Sequence, residues 1–101
     1  MIDLSKIQKN VYQNKVDKGF NTTDVNLEFN LAYGELSEAY NAYIKRLPDV
    51  GEEIADVVIY LLGLAEILKI DLEKEILQKV EKNKKREYKK IDGVVTRTKE
   101  A

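Results

Sequence analysis

Cysteine and histidine are both absent from the 101-residue chain. Their absence excludes a disulfide framework, a thiol or imidazole zinc site, and any Ser-His or Cys-His nucleophilic dyad. A metal held by side chains would therefore meet mainly oxygen ligands, which favours Mg²⁺, with Mn²⁺ as the alternative, over zinc or copper. Proline occurs once, at Pro48, and the five glycines are scattered, so few positions break the chain. No repeat or flexible linker is visible. Long hydrophobic runs are missing too: the longest, residues 57–65, falls far short of the ~20 residues that span a bilayer. Residues 1–10 carry no apolar run behind basic residues. The chain reads as soluble and cytoplasmic, with no membrane partner.

What is present is a mixture of 44% hydrophobic and 35% charged residues, typical of a charged-surfaced helical protein. One domain over residues 1–101 is expected, with a core so modest that self-association would help it. Net charge is only -1, but it is unevenly spread. Residues 79–99 hold nine Lys/Arg against Glu81, Glu87 and Asp92, a local +6 that leaves -7 elsewhere. One anion-facing segment explains this better than a generally basic surface, and nucleic acid is disfavoured as a partner.

Periodicity predicts an all-α fold of four helices. Leu4, Ile7, Val11 and Lys15 share a face of a first helix, from about residue 3 to 17, with Asp3 or Ser5 as N-cap. The polar stretch 20–24 is a loop that caps a second helix starting near Val25 and stopping before Pro48. Gly34, inside that helix, has no local reason. The third helix, about 49–69, is apolar around its whole circumference, so it should be buried on all sides, partly against another copy. Asp71 caps a fourth helix that grows more polar toward Tyr88. The core is expected over about 25–88, with 89–101 an exposed or loosely docked polar tail.

Glu35 and Glu38 lie three residues apart on one face of helix two, and Glu53 and Asp56 repeat the spacing on helix three. A Glu-x-x-Glu pair alone is usually solvated surface. Asp56 differs, because it precedes the apolar run, where a lone carboxylate costs several kcal/mol or is forced to protonate. Its partner is either Lys15, Lys45 or Arg46 in a salt bridge, or a divalent cation shared with the other acids. Antiparallel packing across the short Pro48 connection brings the two acid pairs level.

These residues resemble the MazG-type all-alpha nucleoside triphosphate pyrophosphohydrolases, whose signature is Glu-x-x-Glu, a spacer, then Glu-x-x-Asp. The similarity covers about 27–88 and includes GELSEAYNAY, EEIADVVIYLLGLAEILKIDLEKEI and KVEKNKKREY. Many members carry a further glutamate three residues upstream, where this chain has Ala32. The resemblance implies a four-helix-bundle-type fold assembled as a homodimer or dimer-based tetramer. It implies that Glu35, Glu38, Glu53 and Asp56 bind Mg²⁺, with Glu38, and Glu35 beside it, catalytic in orienting water. The expected reaction converts a (deoxy)nucleoside triphosphate to monophosphate and pyrophosphate. Lys79, Asn83 and Arg86, at i, i+4 and i+7 on helix four, are expected to bind phosphates, and Phe20, Tyr33 and Asn14 are candidates for the base. The rival from another class is a non-catalytic helical dimerisation module with a basic C-terminal segment.

Overall fold

The computed structural model describes residues 1–99. Its order is α1 (Leu4–Asp17), α2 (Val25–Ile44), α3 (Val50–Ile67), α4 (Leu72–Lys85), β1 (Glu87–Ile91) and β2 (Val94–Lys99). Three helices start where an aspartate satisfies the orphan N–H groups of the first turn. The carboxylates of Asp3, Asp24 and Asp71 accept from the backbone N–H of Lys6, Leu27 and Lys74 at 3.0–3.2 Å. Asp49 occupies the same position before α3 and makes no such bond.

The α2 and α3 helices form an antiparallel hairpin, and α1 lies along α3. Small residues let α2 approach closely, with Ala32, Ala39 and Ala42 buried against the seam and Leu62, Leu64 and Ala65 completing the core. Two polar side chains join it. Gln8 is buried and donates to Glu66 Oε1 (3.0 Å) and the Ile70 carbonyl (2.8 Å), tying α1 to the end of α3. Lys15 forms an ion pair with Glu28 of α2, and their residues are only 9% and 1% exposed. Lys15 Nζ also stands 5.6 Å from the Tyr60 ring centroid. Gly63 makes room for this lysine, since a Cβ there would lie 3.2 Å from Lys15 Cδ.

One expectation changes. The C-terminal region is not all helix and tail: α4 ends at Lys85, Arg86 is extended, and a β-hairpin follows. Its turn is Asp92-Gly93, both at positive φ, the geometry a two-residue type I′ connection demands. Tyr88, Ile91, Val94, Val95 and Thr96 around it favour strand. Arg86 is accordingly a cap beyond α4 and no longer shares a helical face with Lys79 and Asn83. Within one chain α3 is covered only in part, the remainder being the surface that the sequence assigned to another copy: Ile54, Val58, Ile59 and Leu61 are each more than two-fifths exposed.

The helix α4 touches the first turn of α1, where Glu73 accepts from Leu4 N (3.0 Å), and has no substantial packing with α2 or α3. The shape is correspondingly open. Its radius of gyration is 17.0 Å, against about 13 Å for a closed domain of this length. Accessible surface is 7919 Å², against roughly 5,800 Å² for a compact monomer of this mass. No described helix is long and apolar enough to cross a membrane.

Candidate metal-binding site

The antiparallel α2–α3 pairing sets the last turns of α2 beside the first turns of α3. One carboxylate oxygen each from Glu35, Glu38 and Glu53 falls in a group whose members all lie within 4.8 Å of one another. Asp56 sits one turn further along α3, outside this triplet, but its charge acts on both Glu35 and Glu53. It forms no ion pair among the described residues. The lysine that might have neutralised it, Lys15, is committed to Glu28.

Like charges in this cleft oppose ionisation. The Glu35 carboxyl is pushed above its ordinary range by desolvation first, then by the charges of Glu38 and Asp56, and further by a hydrogen bond with Glu38. Glu53 is also raised, by desolvation first and then by Asp49 and Asp56. Tyr60, one turn beyond Asp56, is raised by burial and by Glu35 and Glu28. The N-terminal dipole of α3 offsets part of this repulsion, because Glu52 and Glu53 lie in its first turn.

Two oxygens in this region are buried without a hydrogen-bond partner, Glu53 Oε2 and Asp49 Oδ1. Such atoms are costly unless something satisfies them. Together with an oxygen-only donor set and clustered carboxylates, they fit a hard divalent cation. Asp49 is thus a candidate ligand missed by sequence reasoning, which took it only as a helix start. A cleft of about 190 Å³ opens beside the cluster, bordered by Glu38, Asn41, Lys45, Asp49 and Glu53. Lys45 is a cation that borders the cleft and can meet an anionic ligand.

The remaining candidates lie elsewhere. Lys79 and Asn83 are on α4, and Arg86 Nη1 donates to Asn83 Oδ1 at 3.0 Å, so these two side chains form a unit. The single chain does not bring them into the acidic cleft. Asn14 and Phe20 border a small cavity of about 90 Å³ with Lys15, Ile59 and Tyr60. Tyr33 is apart from them, in an apolar groove of about 210 Å³ with Phe29, Leu36, Val57 and Leu61. No family model, curated protein or solved structure matches the chain.

Proposed function

We infer that the chain is a MazG-type, Mg²⁺-dependent nucleotide pyrophosphohydrolase, cleaving a (deoxy)nucleoside triphosphate to monophosphate and pyrophosphate. The observation that carries the reading is the convergence of Glu35, Glu38 and Glu53 from two helices, with Asp56 adjacent and no ion pair to any of them among the described residues. A surface module that used these acids for salt bridges would supply partners, and here Lys15 goes to Glu28 instead.

Glu35, Glu38, Glu53 and Asp56 would hold the ion, with Asp49 available to them. A bound divalent cation would neutralise phosphate oxygens and lower the pKa of water. The chain's own residues then have distinct parts. Glu38, the exposed member of the cluster, would accept a proton from water. Lys45 borders the same cleft and can meet a phosphate oxygen. Phe20 and Asn14 offer a stacking surface and an amide near Tyr60, which lies on the acid-bearing face of α3.

The working unit is a homodimer or dimer-based tetramer. Each chain exposes about 2,000 Å² more than a compact monomer of its mass, on the scale that obligate interfaces cover. Much of this is apolar, including Phe29, Tyr33, Leu36, Ile54, Val58 and Leu61 on one side of the α2–α3 hairpin. The deciding experiment measures pyrophosphate release from canonical, deoxy and modified triphosphates, with Mg²⁺ and with chelator. Release that chelator abolishes is expected; no release from any triphosphate refutes the reading.

A further inference from the structure

We propose that the β1–β2 hairpin is a docking face for single-stranded nucleic acid, on which a base stacks against Tyr88 while Lys90 and the basic end of α4 meet the backbone phosphates. The proposal is independent of the carboxylate cleft. It gives the chain a binding function besides the one inferred above.

The first argument is the strand register. Residues directly opposed in an antiparallel pair share a face, and so do residues two apart along a strand. Tyr88 stands opposite Arg97, and Lys90 opposite Val95. One face of the hairpin therefore carries an aromatic ring with a basic residue across from it and another two positions along. A solvated tail would hold the same cations at no fixed spacing; the hairpin fixes them around a ring.

That face is open. Both strands are exposed throughout, Tyr88 to 53%, and the helices give them no substantial packing. A two-stranded hairpin standing alone is marginally stable in water, so a ligand that docks on it also holds it together.

Charge and the ring together select the occupant. Residues 79–99 carry +6, and the -7 on the rest of the chain repels a polyanion and confines it to this end. Lys84 pairs with Glu81 and Lys99 with Glu87, whereas Lys82, Lys85, Lys89 and Lys90 form no ion pair among the described residues. Cations that track a backbone and an aromatic ring that accepts a base are the two parts by which single strands are held without sequence preference. In a duplex the bases are already stacked on one another, and the ring would go unused. An acidic peptide answers the charge but not the ring. An anionic bilayer is opposed by Asp92, which stands in the turn at the tip of the hairpin.

The test titrates the full-length chain into a fluorescein-labelled oligothymidylate of about 15 nucleotides and follows anisotropy. Chelator is present throughout, so that no divalent ion bridges phosphate to the acidic cleft. A dissociation constant of roughly 1–100 μM is expected, with log affinity falling linearly with log salt. Lys90→Gln is expected to make that slope shallower by about 0.7, the share of one phosphate contact on a single strand. Tyr88→Ala is expected to weaken binding roughly 5- to 150-fold, and Tyr88→Phe to retain it. Loss of the hairpin in Tyr88→Ala would give the same result, and Tyr88→Trp separates the two causes. The chain has no tryptophan, so emission from this variant reports the ring alone. It is expected to be quenched by the oligonucleotide and unchanged by polyglutamate. Absence of binding, polyglutamate or duplex DNA binding as tightly as the single strand, an emission indifferent to the oligonucleotide, or a salt slope unaltered by Lys90→Gln overturns the proposal. No readout uses turnover, so a failure of pyrophosphate release refutes the enzymatic reading and leaves this test intact.

Discussion

Replacing Lys15 by methionine leaves the Glu28 carboxylate, 1% exposed, without its counter-ion. Breaking a buried pair from one side costs about 3–5 kcal/mol, because the remaining charge is neither solvated nor compensated. For a chain this short, total stability is about 5–15 kcal/mol. The loss is therefore a large fraction of the whole, and corresponds to a melting temperature lower by roughly 12–40 °C. Asn21 Nδ2 at 3.3 Å from Glu28 Oε2 also donates to the Asp24 carbonyl at 2.9 Å, and a neutral amide cannot replace an ammonium.

The double variant Lys15→Met/Glu28→Leu removes both charges and keeps the volume. It is expected to recover most of the loss, since apolar replacement of a buried pair is often neutral or stabilising. Urea unfolding followed by circular dichroism, at pH 7, without divalent ions and at one fixed chain concentration, closes the cycle. A Lys15→Met chain within about 1 kcal/mol of the parent would show that water reaches Glu28 and refute the reasoning. A double variant no more stable than the weaker single one would show that the pair specifies the packing.

The acids of the cleft respond differently. On the proposed function, Glu38→Gln and Asp56→Asn are each expected to abolish Mg²⁺-dependent pyrophosphate release while retaining parental helical content; turnover in either removes it from the proposed site. Because the Glu35 carboxyl is raised in the fold, its protonated form favours the native state, and stability from this group is present below the ordinary carboxyl range and lost as pH rises through the raised value. Metal-free melts should accordingly show Glu35→Gln gaining on the parent as pH rises above the ordinary carboxyl range, and a gap that is flat with pH contradicts the shift. Gly63→Ala lowers stability by about 1 kcal/mol, because its Cβ meets a Lys15 side chain held by Glu28. Gly34→Ala, with nothing within 4 Å, raises the stability of the single chain by up to about 1 kcal/mol, as thermal melts at low concentration would show.

Local chemistry was the most legible part of this fold. Asp3, Asp24 and Asp71 each precede an apolar-periodic segment, and each caps a helix. The Glu-x-x-Glu and Glu-x-x-Asp spacings placed three carboxylates in one cleft, because helical periodicity and a short connection suffice to align two antiparallel helices. The hairpin was missed although its signal is present in Asp92-Gly93 between β-branched residues; the density of lysine around it read as a solvated tail. The Lys15–Glu28 pair was hidden for a different reason. Nothing near Lys15 in sequence distinguishes Glu28 from Asp56 as its partner, and the choice is made by the close approach of α1 to α3 at Gly63, from which the Lys15 side chain reaches Glu28.

The apolar circumference of α3 separates pattern from single-chain structure most clearly. A periodic pattern records every surface that the residue must satisfy, including surfaces formed only in an assembly. Leu62, Leu64 and Ala65 satisfy theirs within the chain; Ile54, Val58 and Leu61 do not. The same division runs through the carboxylates. Glu28 is paired inside the chain and contributes stability, whereas Glu35 and Glu53 are raised by desolvation and by like charges, and neither forms an ion pair among the described residues. A group that the isolated fold leaves unsatisfied, whether an exposed isoleucine or a crowded glutamate, marks where a second molecule has to enter the energetics. On the reading proposed above, that molecule is another copy of the chain for α3, and a cation with its anionic substrate for the cleft.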